Sequence, residues 1–223
     1  MRTLKINLLV ILAFLFSAAI HAQTIDEILA KHAEAVGGIN TIKKLTSIYI
    51  ENSIAAMGNE SPNTVSIING KGYKSVSEIN GAKMINCFTE KSGWSVNPMM
   101  GATTPAAMPE EEYNRSKYQI FISDPLINSS EKGFTVELAG SEKVKDADAF
   151  KIKITNIANK SESFYYVDKT SYLILKVTAK VDMMGQQTDV ITNFSNYQKT
   201  SIGFLIPYVT DIDFGASSPY RLR

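Results

Sequence analysis

The stretch Tyr172-Leu173-Ile174-Leu175-Lys176-Val177-Thr178-Ala179-Lys180-Val181 decides how the rest of this chain is read. Leu173, Leu175, Val177, Ala179 and Val181 fall on one side of an extended backbone, with Lys176, Thr178 and Lys180 on the other. That period of two belongs to a strand with one dry face. Outward from it the same period recurs. Ile48, Ile50, Asn52 and Ile54 alternate with Tyr49, Glu51 and Ser53; Phe134, Val136 and Leu138 alternate with Thr135 and Glu137; Phe150, Ile152 and Ile154 alternate with Lys151, Lys153 and Thr155. Asn69-Gly70 and Asn80-Gly81 read as two-residue hairpin turns, whose central positions need positive φ, and Met184-Gly185 closes another. Strands at such intervals predict an antiparallel meander, and the helices that parallel crossovers need are missing.

The helical signal is confined to two places. Thr24-Ile25-Asp26-Glu27 has the form of a capping box, and Ile25, Ile28, Leu29, His32, Ala33 and Val36 then recur on one helical face until Gly37-Gly38. A short turn carrying Ile39, Ile42 and Leu45 follows. Between Asn97 and Ile122 the strand pattern lapses into Pro98, Met99, Met100, Gly101, Pro105, Met108 and Pro109, after which Glu110-Glu111-Glu112 reads as an acidic helix start. This predicts a loop and helix inserted in the meander, lying across a sheet face or barrel mouth. The stretch from Asp124 to Lys132 reads as a polar return loop.

Ahead of all this, Arg2 and Lys5 precede an apolar run, with small residues up to Ala22, the layout of a secretory signal peptide. From Leu8 to Ile20 there are 13 residues, against the roughly 20 a bilayer core requires. Residues 1–22 are therefore expected to be removed, leaving a single domain over 23–223 and moving the formal charge from +1 to −1. No cysteine near the cleavage point offers a lipid attachment, so the expectation is a freely diffusing periplasmic protein. Cys87, as the only cysteine, cannot form an intramolecular disulfide, and the chain must rely on its core.

Composition narrows the chemistry. A chain 44% hydrophobic and 20% charged is neither disordered nor coiled coil, and near-balanced charge lacks the cationic excess a nucleic-acid binder carries. One histidine remains in the mature chain, too few for a metal set, and it reads as a packed or helix-terminal residue. Cys87 reads as a buried strand thiol. No nucleophile elbow, zinc motif or phosphate loop is present, so no catalytic residue, metal or cofactor is expected. Asp211 and Asp213, two apart on one strand, are the first suspects for a carboxylate hydrolase, with surface solvation as the plainer reading.

What remains is apolar. Of the seven mature methionines, several lie in or beside loops, where a flexible, polarizable side chain suits variable apolar ligands. Trp94, Met99, Met100, Met108, Tyr113 and Phe121 flank or occupy the insertion and are the candidate cover over an apolar site.

Two stretches carry a likeness to a known family. Ser163-Phe164-Tyr165-Tyr166-Val167-Asp168-Lys169-Thr170-Ser171-Tyr172-Leu173, then Phe194-Ser195-Asn196-Tyr197 and Gly203-Phe204-Leu205-Ile206-Pro207, resemble the LolA-like outer-membrane lipoprotein-sorting proteins. The opening His32-Ala33-Glu34-Ala35-Val36-Gly37-Gly38 with Ile42-Lys43-Lys44-Leu45 resembles the first helix of Bacteroidetes-type members. The resemblance implies an unclosed antiparallel half-barrel covered by helices that carries acyl chains across the periplasm. It also implies an acylated lipoprotein or lipid as partner, transient contacts with inner- and outer-membrane proteins, and a monomer. Burying acyl chains is worth about 0.8 kcal/mol per CH₂, so a 16-carbon chain contributes roughly 12 kcal/mol and its release calls for an adaptable cavity. The family's best-known members lock the lid with an arginine, whereas Arg115, Arg221 and Arg223 are the arginines of the mature chain, and none is matched to that position. The alternative is an envelope scaffold of the same fold that holds no cargo.

Overall fold

The computed structural model describes residues 23–56, 59–79, 81–183, 186–215 and 221–222. The expected signal peptide, Met57, Asn80 and the Met184-Gly185 turn lie outside the described residues.

Helix α1 (Ile25–Ala35) starts where the capping box predicts. The Thr24 hydroxyl accepts the Glu27 N–H at 3.3 Å, and the Glu27 carboxylate accepts the Thr24 N–H at 3.1 Å. Its apolar stripe is buried at Ile28, His32 and, one residue beyond the helix, Val36. Gly37 then adopts φ +126°, and a Cβ there would stand 2.8 Å from the Gly203 carbonyl, so only glycine lets the two backbones come together. A single turn, α2 (Ile39–Ile42), buries Ile42 and delivers the chain into the sheet.

Two six-stranded antiparallel meanders follow. The first comprises β1 (Ser47–Ala56), β2 (Asn59–Ile68), β3 (Gly72–Ile79), β4 (Ala82–Thr89), β5 (Gly93–Asn97) and β6 (Ala102–Ala107). The second comprises β7 (Phe134–Val144), β8 (Ala147–Asn156), β9 (Glu162–Asp168), β10 (Ile174–Met183), β11 (Gln186–Lys199) and β12 (Leu205–Asp213). A two-residue strand, β13 (Arg221–Leu222), joins β1 to β12, so the order runs β6 to β1, β13, then β12 to β7. β6 and β7 are the two edges and the sheet does not close into a barrel.

Three sequence readings shift. The strand expected at 172–181 starts at Ile174, because Tyr172 takes φ +58° in the preceding turn. The Asn69-Gly70 turn has three residues, since Ile68 pairs with Gly72. Its extra residue lets the Asn69 side chain donate to the Leu45 carbonyl and accept the Ile122 N–H, at 3.0 and 3.1 Å. The insertion also holds a strand, β6, between a 3-10 turn (Pro98–Met100) and helix α3 (Glu110–Ser116). Ala-Thr-Thr-Pro-Ala-Ala has no apolar alternation to read, and Pro105, which lacks an N–H, is tolerated because β6 is an edge strand.

The core is in three parts. Ile28 and Leu126 pack with Phe150, Ile152, Val167 and Ile174 of the second meander. Val36, Ile42, Leu45, Ile127 and Phe204 form a second cluster around the end of α1. Phe88, Met108 and Ile120 form a third, where the 3-10 turn after α3 (Lys117–Ile120) meets the first meander. On the opposite face of the second meander the cover is charged: Lys176 Nζ sits 3.9 Å from the Tyr166 ring centre, and Glu142 receives Lys151 and Lys176 at 3.0 and 3.4 Å. The dry face is the one α1 packs on.

Candidate functional site

A cavity of about 340 Å³ lies between the end of α1 and the second meander, within the range of about 300–1,000 Å³ typical of ligand sites. Val36, Ile174, Val177, Phe194 and Leu205 supply most of its apolar wall, with Ile206 and Pro207 beside them. Ile174 and Val177 are an odd number apart and alternation would send them to opposite faces. A bulge resolves this: Ile174 pairs with Val167 and Lys176 with Tyr166, so Leu175 is an extra residue that resets the phase. Leu173 to Val181 is thus not one uninterrupted period, although Val177 onward keeps it.

The residues of the family-like motifs gather at this cavity. Tyr165 lines it from β9, Phe194 and Tyr197 from β11, and Phe204 to Pro207 from the start of β12. Asp168, three residues past Tyr165, shapes the turn into β10: its Oδ1 accepts the N–H groups of Thr170 and Ser171 and the Ser171 hydroxyl. Tyr197 donates its hydroxyl to the Ile174 carbonyl at 2.8 Å, holding β11 against the bulged start of β10.

The polar part of the wall is a buried ionic cluster. His32, 1% exposed, places Nδ1 2.7 Å from the Tyr172 carbonyl and Nε2 3.0 Å from Asp124 Oδ2. Both partners are acceptors, so both ring nitrogens donate and the ring is an imidazolium. Burial alone would lower the His32 pKa, but the charge and hydrogen bond of Asp124, aided by the Tyr172 carbonyl, leave it raised. Burial likewise opposes ionisation of Asp124. His32, then Lys132 and the Leu126 N–H, overcome it and hold the carboxyl below its ordinary pKa. Lys132 is buried and donates to the Ser123 carbonyl, the Ser123 hydroxyl and the Asp124 carbonyl at 2.9, 2.8 and 2.7 Å. Desolvation lowers its pKa to about 8 in spite of Asp124 and Glu131. Burial, and then the charge of Asp124, push the Tyr165 and Tyr197 hydroxyls well above the tyrosine range, so both stay protonated.

A second cavity, of about 300 Å³, opens beside the first and shares Ile122 and Asp124 with it; Tyr118, Phe121, Lys132 and Phe134 are among its walls.

The six candidate cover residues divide. Met108, Tyr113 and Phe121 come together in the third cluster, and Tyr113 donates its hydroxyl to the Thr89 carbonyl at 3.0 Å. Phe121 also lines the smaller cavity. Trp94 is half-buried on β5, opposite Cys87 and Ala107, while Met99 and Met100 are 70% and 79% exposed on the 3-10 turn. None of the six lines the larger cavity. Cys87 is a half-buried strand residue. Neither Asp211 nor Asp213 lines either cavity, and Asp213 accepts the Gly215 N–H at 3.0 Å. Among the described residues no cluster of ligating side chains could hold a metal ion, and no helix is long and apolar enough to cross a membrane.

An open antiparallel sheet with one apolar face under an N-terminal helix is an architecture that solved structures share. A LolA superfamily protein from Nitrosomonas europaea is similar at TM-score 0.57 and 13% identity, with 90% of each chain covered. A DUF1329 family protein from Desulfovibrio piger is similar at TM-score 0.59 and 15% identity, again over 90% of each chain. A domain described as that of an outer membrane lipoprotein-sorting protein, from Vibrio parahaemolyticus, is similar at TM-score 0.56 and 13% identity over 89% of each. No family profile and no curated protein matches the chain in sequence. The chain shares its fold with these three proteins.

Proposed function

We propose that this chain is an exported, periplasmic carrier that holds acyl chains of a lipid or lipoprotein in the cavity between α1 and the second meander, bound for the outer membrane. The observation that carries the reading is the cavity of about 340 Å³ with its largely apolar wall. Burial of acyl CH₂ groups there is the dominant favourable term available to a ligand. The fold shared with a lipoprotein-sorting domain supports the same reading. In it the chain is a binding protein without catalytic residues or cofactor. Residues 1–22 are a leader, 23–223 a single half-barrel domain, and α1 and the insertion are the cover, with Trp94, Met99, Met100, Met108, Tyr113 and Phe121 contributing from the insertion side.

A scaffold of the same fold that carries nothing would fill this space with its own side chains, so the cavity weighs against that alternative. The test is lipid extraction and native mass spectrometry of the protein purified from a Gram-negative periplasm, together with uptake of a fluorescent fatty acyl probe. Co-purifying lipid or saturable uptake is expected. A protein that emerges free of lipid and never takes up the probe would sink the carrier reading.

A further inference from the structure

The larger cavity is not apolar throughout: His32, Asp124, Tyr165, Thr192 and Tyr197 occupy part of its wall. Which of them can still serve a ligand follows from the hydrogen bonds already made. Both ring nitrogens of His32 are committed, to Tyr172 and Asp124. The Tyr197 hydroxyl is committed to the Ile174 carbonyl. Lys132 spends all three of its donors on Ser123 and Asp124, and it faces the neighbouring cavity.

Besides the Thr192 hydroxyl, two groups keep capacity. The Tyr165 hydroxyl has no hydrogen-bond partner among the described residues, and burial together with Asp124 keeps it protonated, so it is an idle donor on the cavity wall. Asp124 accepts one bond on each carboxylate oxygen, from His32 on Oδ2 and from the Leu126 N–H on Oδ1. A carboxylate oxygen has two acceptor sites, so each retains one, and the side chain is 23% exposed where it borders both cavities. The cavity wall thus carries unused donors, the Tyr165 and Thr192 hydroxyls, and one ionised acceptor, Asp124.

A hydrocarbon tail alone satisfies neither group, and unsatisfied buried polar groups are costly. A ligand carboxylate accepts from Tyr165 but brings its charge against that of Asp124. A neutral group that both donates and accepts suits both. We infer that the cavity selects an amphiphile whose first polar group beyond the acyl chain is a hydroxyl or a secondary amide, seated between the Tyr165 hydroxyl and the Asp124 carboxylate. The inference rests on the carrier reading and specifies its ligand class.

The test is displacement of N-phenyl-1-naphthylamine from the purified protein by three 12-carbon ligands: monolaurin, which donates and accepts; methyl dodecanoate, which only accepts; and dodecanoate, which is charged. Monolaurin is expected to displace the probe at about tenfold lower concentration than the other two, the worth of one satisfied buried hydrogen bond. Tyr165→Phe, which keeps the ring, should weaken monolaurin and methyl dodecanoate alike, since both accept from the Tyr165 hydroxyl. Asp124→Asn, which removes the negative charge but can still accept from His32, should improve dodecanoate relative to monolaurin. Equal displacement by all three ligands, or Tyr165→Phe and Asp124→Asn proteins that bind all three as the parent does, overturns the inference and leaves the carrier reading standing. Failure of the protein to bind the probe or any of the ligands overturns both.

Discussion

His32 and Asp124 are 92 residues apart in the chain and 3.0 Å apart in the fold, and through them α1 is tied to the connection between the two meanders. On its other nitrogen His32 holds the Tyr172 carbonyl, so one ring fastens three segments around the cavity.

This pair makes stability depend on pH with a defined sign. The folded His32 pKa is raised above its ordinary 6.5, so its contribution is complete below about pH 6.5 and is lost as pH rises through the folded value. The folded Asp124 pKa is lowered below 3.8, so its contribution is present above that and is lost as pH falls through the folded value. Lys132 runs the other way: with its pKa lowered from 10.5 to about 8, the unfolded chain binds more protons between those values, and stability from this group rises with pH there. Thermal melts from pH 3 to 10 should show greatest support from the pair between 3.8 and 6.5. In His32→Gln the decline that begins above pH 6.5 should be absent. An unchanged alkaline limb in that variant would count against a charged His32.

Removing one partner of the pair should cost more than removing both. His32→Leu leaves the Asp124 carboxylate without its counter-charge, and urea unfolding should record a loss of about 3 kcal/mol. The double variant His32→Leu, Asp124→Leu removes the orphaned charge and should recover part of that loss. Strictly additive effects would show that the two side chains do not act as a pair.

Filling the cavity should separate binding from stability. Val177→Phe adds a ring to the cavity wall on β10, and uptake of a fluorescent acyl probe should weaken by about tenfold or more, since occupied volume no longer accepts CH₂ groups. Circular dichroism should report an unchanged sheet. A variant that folds and binds as well as the parent would place the ligand elsewhere.

The methionines of the insertion should behave unequally. Met108 is 9% exposed beside Phe88 and Ile120, and Met108→Ala should cost about 2–4 kcal/mol in chemical unfolding. Met100 is 79% exposed, and Met100→Gln should stay within about 0.5 kcal/mol of the parent. If the exposed pair Met99 and Met100 contributes to the cover, the double change to Gln alters probe uptake at constant stability.

Much of this architecture was legible because it follows from local rules. The capping box at Thr24, the stripe from Ile28 to Val36 and the alternation of Phe150, Ile152 and Ile154 each report a one-faced element, and each sits where the sequence puts it. β6 was not legible, since small residues around Pro105 have no period and only the sheet edge makes them a strand. β13 was not, since two residues cannot carry an alternation. The cavity's polar wall was hidden for a different reason. His32 reads as an ordinary member of a helical stripe and Asp124 as one polar residue in a loop, and only the fold brings them together. The family-like motifs were the available signal: Tyr165, Phe194, Tyr197 and Phe204 to Pro207 all line the cavity, though nothing in their spacing says so.

Among the described residues the two meanders meet along the sheet through β13, where Leu222 pairs with Ala56 on one side and with Ile212 on the other. Long ladders hold each meander internally, whereas the line from β1 to β12 is bridged by the shortest strand of the sheet, so the continuity of all thirteen strands rests on two residues.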